Sequence, residues 1–533
     1  MKHEWRGRAI NYLLCLVCFG SFVAYYGLSC FRVPWGGDFD VYNAAVQTFS
    51  MSSGDLLHEA MPVSGRYSFA YNPVVVAAAQ IKRMFGLTAY AALQWTGVVG
   101  IVAYSASILV YFRSISMMSN STLPAIFFLL ISLFLRNETW SWSSETSFDT
   151  LTLIQAYPSL FAWSLALLIF AITERFLLTG KRIYVILFCP LLSCLLLVHK
   201  ITASWVVLIV GIRLATQLTF RARAEFREQL VGSMLMSASG SLAIALALLW
   251  PYEKLSTFVP MFSVREGAHF APFSTMAWLY LLVLPCLPLV LWSQRHFPML
   301  IGFLATAGAF ALFRIVHIDF GDRYGLFMTF FPQVLLAEAC AIGISFVRNV
   351  PSIPVFKVPR TYRWVLILLA VTSIFASFGS PSFRDALSRR TIPGPGELWA
   401  GVNPEKIFYA RFANLGRVLS QASIVLVKDG FMGYKLAAAT GARSVLVPYA
   451  FAVPDFRNRL EDVKRFFTTG IGQNERKAII TRYHVSHILL TKEQFWMSDE
   501  LEATIGSPIY RSPEVLLYRV RIHSSLNSIL PTF

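Results

Sequence analysis

The sequence predicts a polytopic α-helical membrane protein with a small α/β domain at its C-terminal end. Three observations predict it. Hydrophobic residues make up 56% of the 533 and charged residues only 14%, where soluble chains carry about 25% charged, and the mean hydropathy is +0.57. Apolar runs long enough to cross a bilayer recur as far as residue 380 and then stop. Beyond them, short β-branched runs alternate with helical stretches.

Eleven apolar runs predict spans near 9–30, 88–112, 122–136, 153–173, 183–199, 201–217, 231–250, 274–293, 297–316, 324–346 and 364–380. The first follows a basic stretch (Lys2, Arg6, Arg8) but lacks a small-residue cleavage site, so it reads as a retained span and not a leader. The first outer loop, 31–87, is long and polar, with two short helical stretches at Val41 to Met51 and Pro73 to Phe85 that suit the membrane surface. Residues 381–400, within SPSFRDALSRRTIPGPGELWAG, form a Pro/Gly linker. The α/β domain follows at 401–533, its SIVLVKDG, SVLVP and HILLT runs predicting a parallel sheet and Gly441 closing the helix of YKLAAATG.

With a cytoplasmic N-terminus, Lys and Arg greatly outnumber acids on the cytoplasmic side and are balanced by acids on the other. That asymmetry orients the chain by the positive-inside rule. An odd number of spans then places the C-terminal domain outside, and the expected setting is the bacterial inner membrane. The net charge of +17 is spread between apolar segments and forms no basic patch, which argues against nucleic acid as a partner. The seven cysteines show neither a disulfide framework nor zinc spacing.

Chemistry-bearing residues gather on the outer side. Asp38 and Asp40 (DFDVY) lie just beyond the first span, where a carboxylate can act as general base toward a hydroxyl, or can simply cap the helix expected from Val41. Lys200, beside His199 at an outer helix end, can hold a lipid phosphate or snorkel to the interface. The turn RIVHIDFGDR offers His317 and Arg323 as acceptor or phosphate contacts, against the alternative of a solvated ion-pair loop. Lys254, Arg265, Glu266 and His269 offer weaker versions of the same. Glu338, inside the tenth span, must face the bundle interior.

On its first-loop residues the chain resembles glycosyltransferase family 87, the polyprenol-phosphate-mannose-dependent mannosyltransferases, and the wider GT-C superfamily. Those proteins carry an acid after the first span in a D-(F/L)-x-V-Y setting. A G-x-x-(L/Y) and an F-x-Y-x-P follow before the second span. Asp38, Val41, Tyr42, Ala45, Gly54, Leu57, Phe69, Tyr71 and Pro73 keep that order. The resemblance implies a GT-C-like membrane domain over 1–380, a catalytic carboxylate at Asp38 with Asp40 beside it, and substrate contacts at Tyr42 and Tyr71. Gln155 stands where the family has G-Q-x-N, although Ile154 and Tyr157 replace the Gly and Asn, and Lys200 falls on a family lysine. The resemblance spans roughly residues 9–345.

It implies an inverting transferase that moves a sugar from a polyprenyl-phosphate carrier to a glycan or glycolipid acceptor on the outer face, within membrane lipid. No organic cofactor is implied, and a divalent metal at Asp38 and Asp40 stays open. The rivals are a transporter or flippase of lipid-linked saccharides, and a non-catalytic scaffold of the same fold.

Overall fold

The computed structural model describes residues 2–31, 38–51, 71–116, 118, 121–135, 146, 148, 151, 157–220, 226–251, 276–292, 297–316, 321–347, 359–381, 383–384, 412, 414–447 and 455–520. The chain divides into two compact units. One holds Met1–Val33, Gln94–Trp250 and Phe262–Gly401; the other holds Pro34–Leu93, Pro251–Met261 and Val402–Phe533.

The first unit is built from helices α1 (Lys2–Ser29), α4 (Ala89–Ile115), α5 (Thr122–Phe134), α6 (Pro158–Thr179), α7 (Ile183–Val198), α8 (Lys200–Phe220), α9 (Phe226–Leu248), α10 (Ala277–Val283), α11 (Leu287–Trp292), α12 (Phe297–Ile315), α13 (Gly321–Phe327), α14 (Phe330–Val347) and α15 (Arg360–Gly379). Among the described residues, eight helices are long and apolar enough to cross a membrane. The other three expected spans fall on shorter apolar helices, Thr122–Phe134, Ile183–Val198 and Ala277–Val290. The last of these is broken by a 3-10 turn at Leu284–Cys286, where Pro285 removes an amide donor.

Helix ends follow local chemistry. α6 opens with Pro158 at its first turn and closes on Gly180, whose φ of 65° is left-handed and whose amide donates to Phe176 O at 2.7 Å. The centre of the unit is the span Tyr324–Val347, 83% of whose most apolar stretch is buried, against 11% for Phe297–Ile315. The outer helices keep large apolar side chains exposed, among them Leu16, Ile186, Leu304 and Phe375, as lipid-facing surfaces do.

An aromatic cluster fills the middle. The Trp205 ring stacks on Phe327 at 4.5 Å and meets Trp163, Phe170 and Phe330 edge-on. α14 and α15 approach so closely that a Cβ on Gly343 would clash with the Leu366 carbonyl, so only glycine fits there. Glu338, wholly buried in α14, faces the interior as its position in an apolar run demands.

The second unit joins two distant parts of the chain. Helices α2 (Asp38–Met51) and α3 (Pro73–Phe85) come from the first outer loop. The rest is an α/β fold of strands β1 (Ile424–Leu426), β2 (Arg443–Ser444), β3 (His487–Thr491), β4 (Tyr510–Arg511) and β5 (Val515–Arg519). Its helices are α16 (Gly430–Thr440), α17 (Phe456–Phe466), α18 (Gln473–Arg482) and α19 (Ser498–Ile505).

The strand order is β2-β1-β3-β5-β4. β2, β1 and β3 are parallel, as the alternating pattern predicts, with α16 crossing between β1 and β2. β5 runs antiparallel to both β3 and β4, so the sheet is mixed. The reason is connection length: only residues 512–514 join β4 to β5, enough for a hairpin and too few for a parallel crossover.

Apolar side chains from β1, β3, β5, α17 and α18 form the core, including Leu426, Val463, Phe466, Ile488, Leu490 and Tyr518. Gly441 ends α16 as expected, with φ 74° and its amide donating to Ala437 O at 2.8 Å.

Candidate active site

Helix α2 begins at Asp38, three residues before the Val41 start that the sequence suggests. Asp40 therefore sits inside the first turn, and it is not the capping residue. An acid in the first turn still suits the positive end of the helix dipole. Asp38 is the first helical residue, and its side chain lies outside the described residues.

Asp40 is only 2% exposed. Its Oδ2 lies 3.9 Å from Lys435 Nζ on α16, and among the described residues no donor reaches its Oδ1. Burial pushes the Asp40 carboxyl up to about 6; the Lys435 ammonium pulls it back and Asp429 pushes it further. One turn along the same face, Asn43 is wholly buried, and neither end of its amide has a partner among the described residues.

α2 is fixed at its other end as well. Arg83 of α3 donates to Phe49 O at 3.0 Å and to Ser50 O at 2.9 Å, two carbonyls that the end of a helix leaves unmatched. The Met51 sulfur packs where Gly441 has no side chain. The F-x-Y-x-P motif explains the α2–α3 contact. Tyr71 is buried, its hydroxyl 3.0 Å from that of Thr48 and its ring edge-on to Phe49. The carboxamide oxygen of Asn72 accepts from the Val74 and Val75 amides, and Pro73 takes the first helical position. Tyr71 thus packs α2 onto α3. Tyr42 is half-buried on α2.

The remaining expected residues divide as follows. His199 and Lys200 belong to the first unit, at the joint between α7 and α8. The Thr202 amide donates to His199 Nδ1 at 3.3 Å, and the Thr202 hydroxyl lies 2.8 Å from the same nitrogen. The imidazole therefore caps α8, a role the sequence reading did not give it, and an accepting Nδ1 puts the neutral ring's proton on Nε2. Lys200, the first residue of α8, is half-buried.

Gln155, His317, Gly54, Leu57 and Phe69 lie outside the described residues, as do Lys254, Arg265, Glu266 and His269. Arg323 falls in α13, and its side chain is outside them too. Among the described residues no three His, Cys, Asp or Glu side chains gather as a metal site requires.

His199→Ala is expected to lower the unfolding free energy by about 1 kcal/mol, the usual cost of a lost cap. His199→Asn, a good capping residue, should restore it; thermal unfolding in detergent measures both.

Sequence reasoning missed two features. Lys435 and Asn43 carried no local signal, because their meaning depends on α2 meeting α16. The second is an ion pair between spans: Arg213 Nε and Nη2 donate to the two Glu174 oxygens at 2.5 and 3.0 Å, beside a cavity of about 40 Å³ lined also by Tyr111, Ser114 and Thr173. The spacing of charges in the sequence places Arg213 at a loop edge and hides that pairing.

No family model matches the chain, and no curated protein matches its sequence. Solved structures do match. The oligosaccharyltransferase of Archaeoglobus fulgidus in its apo form is 12% identical with a TM-score of 0.51, the match covering 89% of this chain and 69% of that one. The same protein in complex with zinc and sulfate matches at 12% identity and TM-score 0.50, over 92% and 72%. ArnT from Cupriavidus metallidurans, bound to undecaprenyl phosphate, gives 13% identity and TM-score 0.49, over 97% and 98%. At such identities the likeness is one of fold. The chain is a multi-pass helical membrane protein. Its fold is the GT-C fold, completed by a small C-terminal sheet.

Proposed function

We propose that this chain is a membrane glycosyltransferase that moves a sugar from a polyprenyl-phosphate carrier to a glycan or glycolipid acceptor on the outer face of the bacterial inner membrane. The observation that carries the reading is the acidic start of α2: two carboxylates in one turn, just past the first span, on a helix held by α3 at one end and α16 at the other. The fold shared with an archaeal oligosaccharyltransferase supports it, as does the first-loop resemblance to the polyprenol-phosphate-mannose-dependent mannosyltransferases.

In this reading Asp38 takes the proton of the acceptor hydroxyl as that oxygen bonds to the anomeric carbon. The bond from that carbon to the lipid phosphate breaks, and the phosphate departs as an anion that needs no acid. One displacement inverts the anomeric centre. Lys200, at the start of α8, supplies positive charge for a lipid phosphate. Tyr42, Gln155, His317 and Arg323 are assigned to substrate. No metal is needed for the step, and a divalent ion at Asp38 and Asp40 would act by polarising the same hydroxyl. Mannose is the first sugar to test.

The test is transfer from a panel of radiolabelled polyprenyl-phosphate sugars by the purified chain in proteoliposomes. Label appearing on an acceptor supports the reading. Protein-dependent movement of the lipid between leaflets without any transfer would replace the enzyme with a transporter.

A further inference from the structure

We infer that Lys435, on α16, is a positioning residue for the active-site helix, its ammonium holding the buried Asp40 carboxylate at the start of α2. The inference rests on the transferase reading for its kinetic consequence, but the clamp itself stands on geometry.

Three observations carry it. The Asp40 carboxylate is buried and reaches one cation at 3.9 Å, while Lys435 is itself 40% exposed, so solvent screens the pair only from the lysine side. α16 is built for close approach to α2. Its Ala437, Ala438 and Ala439 present little bulk, and just past its end Gly441 leaves room for Met51 of α2, whose sulfur would lie 2.5 Å from a Cβ there. Finally, Asp40 Oδ1 and both ends of the Asn43 amide are buried with no partner among the described residues. A buried carboxylate is costly, so the one described cation beside it bears on where the first turn of α2 sits.

Among the described residues the charged groups that act on Asp40 are Lys435 on α16 and Asp429 just before it, while Arg83 of α3 is engaged at the far end of α2. Asp38 precedes Asp40 on the same helix, and Tyr42 and Tyr434 are the nearby phenols in sequence. The Lys435 ammonium thus holds the Asp40 carboxylate, and with it the first turn of α2 and the backbone of Asp38 two residues earlier.

Lys435→Met should therefore unfold at a clearly lower temperature than the parent, and Lys435→Arg should restore it. In an Asp40→Asn background the same change should cost nothing, because no carboxylate remains to be held.

In the transfer assay, Lys435→Met should lower kcat several-fold with little change in KM, and Lys435→Arg should bring it back. A Lys435→Met stability loss that persists unchanged in the Asp40→Asn background overturns the clamp. A loss confined to the Asp40 parent with an unmoved kcat overturns the positioning role. If the parent transfers no sugar, the glycosyltransferase reading falls, and the unfolding measurements still decide the clamp.

Discussion

Asp38→Asn is expected to lower kcat for sugar transfer by about 10²–10⁴, the range that a positioned base contributes. The substitution removes the charge and keeps the shape, and Asn at the first position of α2 serves the helix as well as Asp does. Loss of activity without loss of unfolding temperature thus isolates the proton transfer. Asp40→Asn is the necessary companion. It takes away a charge buried against Lys435, so a smaller fall in kcat is expected from a loosened first turn. Should Asp40→Asn abolish transfer while Asp38→Asn retains it, the base is Asp40, whose carboxyl near 6 also suits that task. Transfer kinetics in proteoliposomes, with unfolding curves beside them, separate the two.

Trp205→Ala is expected to lower the unfolding free energy by about 3–5 kcal/mol, the usual cost of emptying a large aromatic site. Trp205 is wholly buried on α8, and its indole donates from Nε1 to Thr306 Oγ1 of α12 at 3.1 Å. Its ring lies nearly parallel to Phe327 of α13, 10° off, so one side chain ties three helices together. Removing it opens a cavity between aromatic neighbours and leaves the Thr306 hydroxyl, among the described residues, the Gly302 carbonyl as its partner. Trp205→Phe, which keeps the ring contact but loses the donor, should fall between. Because α8 also carries Lys200, weaker donor binding is expected alongside. Unfolding in detergent, followed by intrinsic fluorescence or light scattering, gives the numbers.

Much of the membrane fold was legible in the sequence because lipid imposes a simple rule: a spanning helix must be apolar for most of its length. Each of the eleven apolar runs coincides with a helix, although three are shorter than a full span. The α/β character was legible from the alternation of IVL and HILL with helical stretches. The antiparallel β4–β5 edge was not, since YR is too short to announce a strand before its partner is known.

In the candidate site, two acids after a span are visible as letters, and so are the tyrosine and proline of the F-x-Y-x-P motif. What those residues do was less visible. Tyr71 packs helices together, and His199 caps one, roles that depend on a hydroxyl or an amide lying within about 3 Å. Lys435 and the Glu174–Arg213 pair were hidden for a different reason. Each matters through a partner far away in the chain, and a single sequence records charges without recording which of them meet.

The make-up of the second unit has a consequence for biosynthesis. Asp40 emerges from the ribosome with the first helices, but Lys435 and the strands behind it follow only about 400 residues later. At about 5–20 residues per second, tens of seconds pass between them. During that interval the nascent protein can insert its spans while the acidic helix still lacks the surface that holds it. A chain cut short before α16 would carry its membrane helices while α2 lacked the Lys435 contact that holds its acidic start.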